Sequence, residues 1–157
     1  MIGLVVLLFG AQTAAAPPAM PAPDPRGIAL PVWTDRLQAK DWPFLSMDAS
    51  RTVVLFAKAA PGRAGEPEEV WMRQEYKEAQ TDPAVPAGVV AQPYKSERIV
   101  AHVDCARRVA RRFRVYRYPE NNLEGRPEVY GYEGVEWAAP DPESFDAAVL
   151  QAACLRS

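Results

Sequence analysis

Residues 96–118, SERIVAHVDCARRVARRFRVYRY, read as two strands separated by a turn, and the rest of the chain organises around them. In the first strand, Ser96 to Cys105, strict alternation puts Ile99, Ala101, Val103 and Cys105 on one face. Arg98, Val100, His102 and Asp104 fall on the other. The second strand runs from about Val109 to Tyr118. The same alternation sends Phe113 and Val115 one way and Arg112, Arg114, Tyr116 and Tyr118 the other. One face is therefore apolar and faces a core. The other is basic and aromatic.

Upstream, Trp42, Phe44, Leu45 and Met47 predict a first strand, with Pro43 at its start or on an edge. Thr52–Ala57 predicts a second, rich in β-branched and aromatic residues, and Val70–Tyr76 a third. Loops are expected at 61–67 and, at greater length, at 79–93, where Pro83, Pro86, Gly88 and Pro93 cluster; a loop that long is a candidate functional segment. Downstream, 121–125 is expected to turn and Glu128–Tyr132 to form the sixth strand. A final helix opens at Asp141-Pro142-Glu143, with Asp141 as its cap and Pro142 at its first position. Phe145, Val149, Leu150, Ala152, Ala153 and Cys154 give that helix a wide apolar arc to pack on the sheet. No segment between strands can form a helical crossover, so the sheet is expected to be antiparallel. The fold class is α+β: about six strands and one C-terminal helix.

MIGLVVLLFG at 1–10 is continuously apolar, and 11–16 supply small residues, so 1–16 is expected to be a secretory signal peptide cut near Ala14 or Ala15. The apolar run is too short to span a bilayer comfortably, and no cysteine there could carry a lipid. Residues 17–31 hold six prolines and read as an extended linker. Residues 32–157 are left for one domain. Two cysteines, a leader and no CxxC point to one structural disulfide, Cys105 to Cys154, in an oxidising compartment; two free thiols are the alternative. The expected location is periplasmic or secreted, with no membrane span once the leader is cut.

VWMRQEY, YKSERIVAHVDCARR, VYGY and EWAAPDPESFDAAVLQAAC together resemble the surface-adhesin protein E-like domain of Gram-negative bacteria, over about residues 40–155. The resemblance implies an antiparallel sheet crossed by a C-terminal helix, with the disulfide on Cys105 and Cys154. It also implies an adhesin-like, non-enzymatic surface role; host matrix proteins and haem are ligands associated with that family.

The net charge of −2 argues neither for nor against nucleic acid as a partner. Fourteen of the 18 basic residues are arginine, however, and six of them fall between Arg107 and Arg117, so the local field there is strongly positive. Arg98, His102, Arg112, Arg114, Tyr116 and Tyr118 are the candidate binding face, since cations interleaved with aromatic rings hold oxyanions and planar groups. The plainer reading is a solvated face whose arginine stems lie over tyrosine rings and pair with nearby acids. Trp33, Trp42, Trp71 and Trp137 could line a contact surface if exposed, but Trp71 and Trp137 are expected in the core. His102, the single histidine, could ligate haem or sense pH. Asp104, Glu133, Glu136, Asp141 and Glu143 form no fixed pair of the kind hydrolases need. There is no nucleophile triad, phosphate loop or metal spacing. The expectation is an exported binding module, not an enzyme, with no cofactor and no specific nucleic acid. Its partner is an unidentified protein or anionic polymer, and a homodimer is possible through exposed sheet edges. A structural envelope protein without a dedicated ligand is the alternative.

Overall fold

β4 (Tyr94–Asp104) and β5 (Val109–Tyr118) form the central antiparallel hairpin of the structure, a computed structural model that describes residues 27–60, 68–82, 92–131 and 134–155. The expected leader, most of the proline-rich linker, the 61–67 loop and residues 83–91 of the long loop lie outside the described residues. Outward from the hairpin, β3 (Glu68–Gln80) pairs with β4, β2 (Val53–Ala59) with β3, and β1 (Phe44–Met47) with β2. On the other side β6 (Glu128–Gly131) pairs with β5. All five pairings are antiparallel and the spatial order is the sequence order, so the sheet is a simple meander, as expected.

Helix α1 (Phe145–Cys154) returns across one face of this sheet. Its Val149, Leu150 and Ala153 close a core with Leu45, Leu55, Ala57, Val70, Met72, Ile99, Ala101, Val103 and Val115. Strand alternation aims these positions at the helix, and β-branched side chains fill the pleated surface beneath it. Cys105 in the hairpin turn is bonded to Cys154, the last residue of α1, with 5.4 Å between their Cα atoms. The sheet and helix are thus tied at one corner, as the two-cysteine count predicts.

The helix begins later than Asp141 predicts. Ser144 is the cap, its Oγ accepting from the Ala147 amide at 3.2 Å. Asp141 instead shapes the preceding turn, where its carboxylate accepts from the Glu143 amide at 3.0 Å. Both are good capping residues, three positions apart. Ser144 is the one followed directly by the apolar helical arc.

A larger correction concerns β5. Val115 pairs with Ile99 and Arg114 with Val100, but the next pair is Ala101 with Arg112. Phe113 is an extra residue, a β-bulge, and the alternation of β5 reverses across it. Arg112 and Ala110 therefore lie on the helix face, and Phe113 lies on the opposite face. The expected grouping of Arg112 with Arg114 and of Phe113 with Val115 does not hold.

Candidate functional site

The sheet face turned away from α1 has one closed end and one open expanse. The closed end is built on Arg73 and Glu75 of β3, which are 2% and 0% exposed and joined by an ion pair of 2.6 Å. Arg73 donates to the Gln38 carbonyl at 2.8 Å and to Asn122 Oδ1 at 3.0 Å. Glu75 accepts from the Asn121 side chain at 2.8 Å and from the Asn122 amide at 3.0 Å. Burial pushes the Glu75 carboxyl above its usual range, and the Arg73 cation and asparagine donors pull against that shift. The turn that brings Asn121 and Asn122 here needs left-handed backbone at Asn122, Leu123 and Gly125. At Gly125 a side chain would also strike Pro119, with only 2.6 Å available. Arg73 and Glu75 are two apart in one strand, but their contacts with Gln38, Asn121 and Asn122 span 35 to 49 positions and are not visible from residue spacing.

The open expanse is a lattice of cations on rings. Cross-strand register places Lys58, Trp71, Val100 and Arg114 in one row, Arg98 beside Tyr116 in the next, and Glu69, His102 and Arg111 in a third. The Arg98 guanidinium lies 4.2 Å from the Tyr116 ring centre, that of Arg111 4.7 Å from Trp137, and that of Arg114 5.2 Å from Phe113. The Lys58 ammonium lies over Trp42 at 4.3 Å and over Trp71 at 5.5 Å. These are the separations at which a cation is drawn to a ring face. A hollow of about 220 Å³ opens among Trp71, Arg98, Val100, Phe113, Arg114 and Tyr116, with Glu69 at its side. The Arg114 guanidinium, hydrogen-bonded to Tyr116, holds that phenol below its ordinary range; slight burial opposes the shift and the charge of Arg98 adds to it.

His102 is fully engaged. Its ring stacks on Phe113 at 5.2 Å with 16° between planes. Its Nδ1 is 3.3 Å from the Arg111 guanidinium, so Nδ1 is the acceptor there, and Nε2 is 3.6 Å from Glu69. Glu69 also accepts from the Trp71 indole N–H at 2.6 Å. Both ring nitrogens of His102 thus face protein partners. Among the described residues no group of three His, Cys, Asp or Glu could hold a metal ion.

Of the predicted face, Arg98, His102, Arg114 and Tyr116 are brought together. Tyr118 has the same parity but stands opposite Ser96 at the closed end, where Ser96 donates to the Glu120 carbonyl at 2.6 Å. Arg112 is on the other side of the sheet. It donates through Nε at 3.2 Å and a terminal nitrogen at 3.0 Å to Asp146 in the first turn of α1. Arg107 and Arg108 are exposed in the hairpin turn. Arg117 is also structural: it pairs with Asp82 and Glu97 and lies between the rings of Tyr94 and Tyr130 at 4.7 and 4.6 Å. Tyr76 donates to Glu97 at 2.7 Å in the same cluster, and burial together with that carboxylate pushes its phenol far above the usual range. Sequence reasoning missed Lys58, Glu69, Arg111 and Phe113 as members of the open face, and the expected core placement of Trp71 and Trp137 does not hold: both are half-buried on that face, under Lys58 and Arg111. Glu69 and Trp71 are two apart in one strand and so share a side, but their placement against β4 and β5 depends on register.

The family model of surface-adhesin protein E matches residues 42–155, from just before β1 to just past the end of α1. The chain belongs to the surface-adhesin protein E family. That span takes in all six strands, the helix, the disulfide and the open face. No curated protein and no solved structure matches the chain. Membership of the surface-adhesin protein E family makes this an adhesin-like surface or exported protein, and the family points to a non-enzymatic role. Among the described residues no helix is long and apolar enough to cross a membrane.

Proposed function

We propose that this surface-adhesin protein E family member is an exported binding module of the periplasm or cell exterior, released by cleavage of its leader, whose ligand docks on the sheet face opposite α1. The observation that carries the reading is the segregation of charge between the two faces. On the helix side, Arg112 and Arg117 are each neutralised by carboxylates. On the open side, neither Lys58, Arg98 nor Arg111 has a carboxylate partner among the described residues. A face that concentrates cations on a protein of net charge −2 suits a partner bearing negative charge, whether an acidic protein or an anionic polymer.

The test is a binding panel of acidic proteins and acidic polymers against the wild type, the Arg98→Glu/Arg111→Glu double variant and Arg126→Glu as a control of equal charge type in the β5–β6 connection. The double variant is expected to lose binding that Arg126→Glu keeps. Binding that survives in the double variant would place the site elsewhere.

A further inference from the structure

We propose that the ligand of the open face is an acidic polysaccharide, with sulfate or carboxylate groups, held by Arg98 and Arg111 as its oxyanion contacts. The inference rests on the reading of that face as the binding surface and goes on to name the ligand's chemistry. The first argument is reach. Arg98 and His102 are four residues apart on β4, and Arg111 pairs with His102 on the adjacent strand. At about 3.3 Å per residue along a strand and about 4.8 Å between strands, the two arginine positions are about 14 Å apart. Lys58 lies in the row between them. A single small anion meets one of these cations. A polymer with repeated charges meets them all.

The second argument is preorganisation. The Nε atoms of Arg98 and Arg111 are buried without a hydrogen-bond partner, while each guanidinium lies on a ring. With Nε buried, the donors left for a ligand are terminal amino groups; one of Arg111's already donates to His102 Nδ1 at 3.3 Å, which together with the ring beneath it fixes that guanidinium. Guanidinium groups fixed in this way match planar and tetrahedral oxyanions with little further loss of freedom.

The third argument excludes competitors. Single-stranded nucleic acid binds such surfaces by stacking bases on free aromatic faces. Here the rings of Trp71, Phe113, Tyr116 and Trp137 already carry Lys58, His102, Arg98 and Arg111. A protein partner with a buried apolar anchor needs a deep pocket with apolar walls. The hollow on this face is small, about 220 Å³, and although Trp71, Val100 and Phe113 line it, charged Glu69, Arg98 and Arg114 form part of its wall. A hydrated, hydroxyl-rich chain with charges at intervals satisfies this wall without needing either feature.

The experiment uses the full exported chain and calorimetric titration with four probes: a heparin-derived octasaccharide, an oligogalacturonate, neutral dextran and oligothymidylate of matched charge. The two acidic glycans are expected to bind, dextran not to bind and oligothymidylate to bind at least about tenfold more weakly. Arg98→Glu and Arg111→Glu are each expected to weaken glycan binding by about tenfold or more, the loss of one charge-assisted contact. Arg98→Gln and Arg111→Gln serve if a reversal unfolds the protein. Glycan bound beside Arg98 should also suppress the ionisation of Tyr116, since added negative charge offsets the cations that favour its phenolate; phenolate absorbance reads the change. Oligothymidylate binding as tightly as the glycans would overturn the inference and leave the face as a general polyanion surface. No glycan binding, with an acidic protein bound and then lost in Arg98→Glu, would overturn the ligand class alone. Glycan binding undiminished by both reversals would overturn the ligand contacts and the face together.

Discussion

Replacing both Cys105 and Cys154 by alanine removes the one covalent tie between helix and sheet among the described residues. The two positions are 49 apart in sequence and 5.4 Å apart at Cα. Opening a loop of that length frees the unfolded chain, and the chain-entropy relation gives a loss of about 4 kcal/mol. The helix cannot make this up on its own. It has 10 residues, fewer than an isolated helix needs to persist in water, and it sinks only Val149, Leu150 and Ala153 into the core. Urea unfolding of the double variant, with a slope of about 1.5–2 kcal/mol per molar for a domain of this size, should show a midpoint lower by about 2–3 M. Amide exchange should show α1 losing protection before β3, β4 and β5. Reduction of the wild type should reproduce both effects. A loss below about 1 kcal/mol, with α1 protection intact, would refute the reasoning, because packing alone would then be holding the helix.

Arg112→Gln should cost no more than about 1 kcal/mol, since its pair with Asp146 is 40% and 27% exposed, and should leave ligand binding unchanged; thermal unfolding and the binding panel check both. Asp48 closes the β1–β2 turn by accepting from the amides of Thr52 at 2.8 Å and Val53 at 2.6 Å. Burial opposes the shift, but hydrogen bonds from Ser50, Val53 and Thr52 hold its carboxyl below 3.8. Its contribution is therefore complete above that value and lost as pH falls through the lower folded value, so the stability gap between wild type and Asp48→Asn should be flat from neutrality to about pH 4 and close below it. Glu75→Gln strips the carboxylate from a buried arginine and should cost about 3–5 kcal/mol, whereas Arg73→Met/Glu75→Leu should recover much of that loss in urea unfolding. Intact mass of the protein exported by its own host should lack the first 13 to 16 residues and, without reduction, two hydrogens; a full-length mass with free thiols would remove the exported reading.

The order of elements could be read because each signal was local. Ile99, Ala101 and Val103 alternate in a single strand, and the segments between strands are too short or too rich in proline for a helical crossover. Two cysteines allow one pairing. What could not be read was set by register or by distance. One extra residue at Phe113 leaves no mark in composition, yet it changes the side of the sheet on which Arg112 falls. Lys58, Trp71 and Arg114 share a row only because three strands settle into one alignment. Gln38, Glu75 and Asn122 meet only after the chain has folded.

The bulge therefore matters to the site more than the arginine count does. With uninterrupted alternation, Arg112, Arg114 and Tyr116 would crowd one face, and Phe113 would sit in the core beside Val115. With the reversal, Arg112 is turned to clamp Asp146 on α1, and Phe113 is turned to carry the His102 ring and the Arg114 guanidinium. One inserted residue thus gives the helix face a neutralising cation and gives the open face an aromatic platform. A stretch that reads as one run of positive charge is divided into cations held by carboxylates and cations held by rings. Carboxylates cancel charge, whereas rings leave it in place and fix its direction. On the open face, the cations offered to a ligand are consequently Arg98 and Arg111, which aromatic residues rather than acids hold.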